Sequence, residues 1–350
     1  MVTGKRSSIL LIADPGAPAG IAERLCDSLP TALTDRASAG VTWDVSVRRH
    51  AYPIDENADV SDVVAAIDPA GETEDVVIYL TDLPRRLGTT PVLADISLPD
   101  RLGVISVPGV GGMFIDRRVR SLAQTIVGEV TDQADQGNSV RQLTRTQDHD
   151  VVRYVAPTPL SRLRLLAGMV YANRPWRLVT GMSKVMMAAF ATGAVSLAYP
   201  TMWQLSATMG PLRLTTATIL AMAALVAWLI IEHKLWERPH SADERERAVL
   251  YNASTVVTLI IGVVIFHVGL FLLLLLTAWW TLPPQLVEHN IGRPVNLSTL
   301  LLMTWLVSAV ATLGGALGSG MEDDEVVKAA AYGVRQRQRF DQDKSAPAPR

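Results

Sequence analysis

Three loop sequences carry the side chains best suited to chemistry: Asp14-Pro15-Gly16-Ala17-Pro18-Ala19-Gly20, Thr81-Asp82-Leu83-Pro84-Arg85-Arg86 and Pro108-Gly109-Val110-Gly111-Gly112. Each follows an apolar run that reads as a strand, and the first and third lead into helical patterns. A glycine-rich turn at a helix N-terminus presents backbone N–H groups to an anion. Arg85 or Arg86 would add a bidentate contact to a phosphate or carboxylate. Asp14 and Asp82 suit a ribose hydroxyl, a metal-bound water, or general acid–base chemistry, which requires hydrogen-bond reach. The candidate ligand site is therefore Asp14, Gly16, Gly20, Thr81, Asp82, Arg85, Arg86, Gly109, Gly111 and Gly112, and the candidate ligand is an anionic metabolite. The bland reading stands beside it, because glycine and proline in strand-to-helix turns are ordinary turn chemistry.

Familiar catalytic motifs are missing. Gly109-x-Gly111 lacks the third glycine of a dinucleotide fingerprint, since Phe114 takes that position, and it follows the last strand instead of the first. No Gly-Lys-Ser/Thr follows the first loop, and neither Gly-x-Ser-x-Gly nor His-Glu-x-x-His occurs. Cys26 is the only cysteine, so no intrachain disulfide can form, and it reads as buried packing. No catalytic residue, cofactor or metal site is assigned.

One further ionisable side chain stands out. His267 lies in the middle of a long apolar stretch, within Phe266-His267-Val268-Gly269. A charge there is costly in lipid, which makes it a functional candidate for proton relay or for metal or haem ligation. The alternative is a neutral imidazole hydrogen-bonded to another helix.

The elements that must position these residues divide the chain in two. Residues 1–132 alternate short apolar runs with helical patterns. Ser8–Ala13, Val41–Val47, Val76–Leu80, Pro91–Ser97 and Gly103–Val107 read as strands, the last two as a hairpin. Ala19–Leu33, Val60–Ile67 and Phe114–Val130 carry apolar residues at helical spacing. This order predicts a three-layer α/β domain with a mostly parallel, Rossmann-like or flavodoxin-like sheet. Ligands of such sheets bind beyond the carboxyl ends of the strands, where the three loops fall.

Residues 181–320 predict an all-α bundle of four transmembrane helices. Met182–Met202, Leu214–Ile231, Ser254–Trp280 and Ser298–Ser319 each approach or exceed the roughly 20 apolar residues that cross a bilayer core. Trp176, Trp203, Trp236, Trp279 and Trp280 fall near span ends, where indoles favour the interface. Gly314, Gly315 and Gly318 with Ala311 follow small-xxx-small spacing, for packing within the bundle or for a homo-oligomer through the Gly314/Gly318 face.

Orientation follows from the Lys/Arg bias. Fourteen basic residues, from Arg162 through Arg247 to the 328–350 tail, fall on one side, against Arg213 and Arg293 on the other. Both termini are therefore expected in the cytoplasm, with the chain in the plasma (inner) membrane. The apolar run Ile9–Ala13 agrees, being too short for a signal-peptide core. Between the two domains, residues 133–180 are expected to be a polar, partly flexible linker followed by an amphipathic helix, 159–179. That helix either lies on the inner leaflet or packs on the α/β domain. Residues 321–350 read as a charged tail. A net charge of −2 and the lack of a basic stripe give no sign of a nucleic-acid partner.

Tyr79-Leu80-Thr81-Asp82-Leu83-Pro84-Arg85, Pro91-Val92-Leu93-Ala94-Asp95 and the Asn173-Arg174-Pro175-Trp176 corner resemble a group of uncharacterised actinobacterial membrane proteins. The resemblance covers most of the chain and implies the same architecture, without an activity. The functional expectation is a non-enzymatic membrane protein whose cytoplasmic α/β domain senses or scaffolds, through an anionic small ligand or a protein partner. A membrane-tethered enzyme using Asp14 and Asp82, and a transporter or channel with His267 on the path, are the alternatives.

Overall fold

The computed structural model describes residues 5–35, 41–54, 58–87, 90–132, 143–156, 161–239 and 244–318. One compact unit ends at Asn173 and a second begins at Arg174.

In the first unit, β1 (Lys5–Ala13) leads into α1 (Ala17–Thr34), then β2 (Val41–Arg49), α2 (Val60–Ile67) and β3 (Val76–Thr81). β4 (Arg86–Leu87), β5 (Thr90–Ser97), β6 (Leu102–Ser106), a short α3 (Val107–Val110) and α4 (Ile115–Val130) follow. The unit closes with β7 (Thr144–Asp148), β8 (Val151–Val155) and α5 (Ser161–Asn173). The strand order is β2-β1-β3-β6-β5-β8-β7, with β4 beside β5. The alternation of β1 decides which layer each side chain joins. Ile9, Leu11 and Ala13 meet α1 and α4 on one face, while Leu10 and Ile12 meet Val63 and Ile67 of α2 on the other. β3 is buried along its whole length, as its unbroken apolar run predicts. The expected β5–β6 hairpin forms.

Two expectations need correction. The sheet is mixed, not mostly parallel: β2, β1, β3 and β6 are parallel, but every pairing of β4, β5, β7 and β8 is antiparallel. The segment 133–158, expected to be linker, supplies β7 and β8. β7 is exposed along its whole length, so it has a loop's polar composition, and only Val152 and Tyr154 of β8 turn inward to the core. The hairpin is fastened by Glu129 of α4, which accepts from Arg145 Nε and Nη2 at 2.9 and 3.0 Å and from the Tyr154 hydroxyl at 2.6 Å. Arg145, with help from Tyr154, holds the Glu129 carboxyl below its ordinary range.

The 159–179 helix also resolves. α5 ends at Asn173 and buries Leu165, Gly168, Met169 and Val170, while Leu163 is exposed. It packs closely on α3: a β-carbon at Gly168 would lie 2.1 Å from the Pro108 carbonyl oxygen. The α/β unit therefore extends to Asn173, with this helix packed on it.

The second unit contains α6 (Trp176–Gly181), α7 (Ser183–Leu197), α8 (Pro200–Thr208), α9 (Pro211–Glu232), α10 (Glu244–Thr281), α11 (Pro284–Ile291) and α12 (Leu297–Gly318). α9, α10 and α12 are long and apolar enough to cross a membrane. A fourth span counts only if α7 is taken together with the bent helical segment before it. The chain thus has a multi-pass membrane architecture joined to a mixed α/β unit. Met182–Met202 is not one continuous span. It breaks at Tyr199-Pro200, because proline disfavours helix in the residue before it and lacks the N–H that would continue the ladder. α7 alone is roughly 22 Å long at 1.5 Å per residue. Trp203, expected at an interface, is buried instead, its Nε1–H donating to the Leu197 carbonyl across the break at 2.8 Å. Trp279 and Trp280 are exposed at the end of α10, as an interfacial role requires. The small residues of α12 meet α7 of the same chain. A β-carbon at Gly314 would lie 2.5 Å from Thr192 Oγ1, and one at Gly315 3.0 Å from Ala189 Cβ. The Gly314 part of the expected oligomer face is thus filled within the bundle. Residues 319–350, with the charged tail, lie outside the described residues.

Two outcomes test this packing. Gly168→Ala should destabilise the α/β unit by about 1–3 kcal/mol, since neither backbone can give way, read as a lower melting temperature. The stabilisation from Glu129 should be complete above the ordinary glutamate pKa, about 4.3, and vanish as pH falls through its lowered folded value. Glu129→Gln should therefore melt below the unaltered chain at pH 7, with the gap closing on acidification.

Candidate functional site

The carboxyl ends of the parallel strands bring the first two candidate loops together. Asp14 terminates β1 fully buried. Its Oδ1 accepts from the Tyr79 hydroxyl at 2.6 Å, and its Oδ2 accepts from the Thr81 hydroxyl at 2.7 Å and the Asp82 N–H at 3.2 Å. Thr81 in turn accepts from the Leu83 N–H. Asp14 and Asp82 are thus neighbours, as a shared site would need. The Asp14 carboxylate, however, is engaged by three donors of β3 and its loop, so its lone pairs tie the β1 end to the β3 end.

Arg85 also turns inward. Its Nε–H donates to Asp95 Oδ2 at 2.9 Å and its Nη2–H to the Ala58 carbonyl at 2.8 Å. Arg153 of β8 donates to the other oxygen, Asp95 Oδ1, at 2.6 Å. Asp95 and Arg85 are 1% and 6% exposed at their side chains, which makes this an ion pair of the interior. Arg86 lies in β4, paired in register with Pro91 of β5. The Ser106 hydroxyl joins the third loop to the second, donating to the Leu83 carbonyl at 2.7 Å and accepting from the Arg85 N–H.

The glycines divide into two groups. Gly16 has φ 110° and precedes α1, a conformation that only glycine adopts without strain, and Gly20 lies in the first turns of α1. Gly109 and Gly112 are close-packing positions. Added β-carbons would stand 2.4 Å from the Val92 carbonyl oxygen and 2.8 Å from the Ala167 carbonyl oxygen. Gly111, at φ 95°, lies beside two arginines, Arg118 Nη1 and Arg164 Cγ being 3.4 and 2.9 Å from where its β-carbon would sit. Both guanidinium groups donate to one acceptor, the Val110 carbonyl: Arg118 Nη1 at 3.1 Å and Arg164 Nε at 3.0 Å. Neither forms an ion pair with a carboxylate among the described residues. Beyond them the turn projects Met113 and Phe114, which are 67% and 72% exposed.

Sequence reasoning named the glycines of this turn but neither arginine. Arg118 was one of several charges on an amphipathic helix, and Arg164 was counted toward membrane orientation. Only the packing of α5 on α3 brings the two together, which no local spacing announces. Asp95 and Arg153 were missed as well. Asp95 did carry a signal, an acidic residue inside an otherwise apolar strand.

In the bundle, His267 is buried on α10, and its Nδ1 lies 2.9 Å from Thr312 Oγ1 of α12. Comparison of the chain with protein-family models, curated proteins and solved structures gave no match.

The Asp95 cluster makes a stability prediction. Removing one partner leaves a buried charge uncompensated, which costs about 3–5 kcal/mol. Arg85→Ala and Asp95→Ala should each lower the unfolding midpoint by that order. The double variant should lose clearly less than the sum of the two, as a double-mutant cycle would show.

Proposed function

We propose that this is a multi-pass membrane protein, both termini cytoplasmic, whose α/β domain senses or scaffolds by binding a phosphate-bearing group at the Gly109–Gly112 turn. The observation that carries this reading is the pair Arg118 and Arg164, two guanidinium groups on one carbonyl oxygen with no carboxylate paired to them among the described residues. A phosphate supplies that balance and accepts several charge-assisted hydrogen bonds at once. The bound group is either a lipid headgroup or a soluble phosphate, and the exposed Met113 and Phe114 favour the headgroup, since apolar side chains enter the interface beside anionic lipid.

The other sheet-edge candidates have a supporting role in this reading. Asp14, Thr81, Asp82 and Arg85 hold the loops in place, and a membrane-tethered enzyme would need the Asp14 carboxylate released from three donors. The sheet order β2-β1-β3 follows the flavodoxin-like start, so the turn after β6 still lies at the edge where ligands of such folds bind. The resemblance to actinobacterial membrane proteins adds no activity.

The test uses the full chain in nanodiscs, following hydrogen exchange of residues 109–118. One arm compares zwitterionic discs with discs containing phosphatidylglycerol, and the other titrates pyrophosphate into zwitterionic discs. Protection should rise in one arm, and Arg118→Ala, on an exposed side chain, should weaken that response about tenfold or more. No response in either arm, or an unchanged response in the variant, would overturn the reading.

A further inference from the structure

The bundle holds a cavity of about 580 Å³ between α9, α10 and α12. Its lining includes Thr218, His267, Phe271, Ser298, Leu301 and Trp305. Thr218 and His267 are buried, whereas Ser298 and Leu301 are exposed, so the cavity opens on the outer surface of the bundle. In a membrane that surface meets lipid.

Counting protons shows what the cavity offers. The Trp305 Nε1–H donates to Thr218 Oγ1 at 2.8 Å, and the Thr218 hydroxyl donates to the Leu214 carbonyl at 2.9 Å. The Ser298 hydroxyl donates to Asn296 Oδ1. These donors are all engaged. The Thr312 hydroxyl lies 2.8 Å from the Ser308 carbonyl and 2.9 Å from His267 Nδ1, and with its single proton on the carbonyl it accepts from Nδ1–H. That bonding pattern assigns the imidazole proton to Nδ1. A neutral ring with Nδ1–H has a lone pair on Nε2, and a charged ring is disfavoured in a span. Nε2 has no hydrogen-bond partner among the described residues, although His267 is only 8% exposed.

An apolar cavity with one unused acceptor calls for an apolar ligand with one donor. We infer that this groove binds a membrane-soluble alcohol, an isoprenoid or other long-chain molecule carrying a single hydroxyl, whose O–H donates to His267 Nε2. The volume lies within the range of small-molecule sites. A plain acyl chain would leave Nε2 unsatisfied, and a carboxylate would bring a second acceptor and a charge. This site is independent of the phosphate site proposed for the α/β domain.

The test uses the full chain in nanodiscs with a photoreactive farnesol analogue. Labelling should map to the α10 and α12 segments around Phe271, Leu301 and Trp305. Unlabelled farnesol should compete roughly fivefold better than farnesyl methyl ether, which lacks the donor. His267→Phe should abolish that preference. Equal competition by alcohol and ether on the unaltered chain would make the groove an acyl-chain slot and overturn the inference. So would labelling elsewhere, or a preference retained in His267→Phe. The alcohol–ether comparison needs no variant, so a misfolded His267→Phe would leave the test intact.

Discussion

A carboxylate cannot stay ionised inside a protein without partners, and Asp95 sets the terms for the α/β unit. Its two oxygens are claimed by different arginines, Arg85 from the loop after β3 and Arg153 from β8. The pairing fixes β8 against β5 and draws the second loop into the interior. It thereby joins the parallel half of the sheet to the antiparallel half. Such a cluster contributes little net stability compared with an apolar core of the same volume, but it is costly to break. Its value is in specifying one arrangement. β8, once placed, carries the chain to α5, and α5 covers the glycine turn after β6.

How much of this was legible in the sequence follows from how local each signal is. The alternation of Val41–Val47, the unbroken run of β3 and the helical spacing of α4 are local, and each element formed where its pattern lies. The β7–β8 hairpin was not legible, because an edge strand solvated on both faces has a loop's composition. The break at Tyr199-Pro200 was written in the sequence, but the apolar run across it masked the proline. Hydropathy integrates over a window, whereas a helix is stopped by one residue.

The candidate site shows the same division. The loops were found because turn chemistry is local, and strand order put them at one edge. The roles of their side chains were not legible, because those depend on which partners arrive from elsewhere. Arg85 reads as an anion ligand until a buried aspartate ten residues later claims it. Gly109 and Gly112 read as an anion cradle, although their missing β-carbons make room for the β5 backbone and for α5. A glycine that admits a neighbouring backbone and a glycine that admits a phosphate have the same sequence signature.

What distinguishes a functional group from a structural one here is the valence left over once internal bonds are counted. Asp14 and Ser106 are engaged in holding the loops, and so they stabilise the edge. Arg118 and Arg164 share a single neutral acceptor, and positive charge remains. His267, in the tautomer assigned above, gives its only proton to Thr312, and a lone pair remains. In each case the surplus is of one kind, cationic donors beside the turn and a neutral acceptor in the groove. In the readings proposed above, each surplus matches a different ligand chemistry, anionic oxygen in the first and a hydroxyl proton in the second. Among the described residues no carboxylate pairs with either arginine and no donor pairs with Nε2.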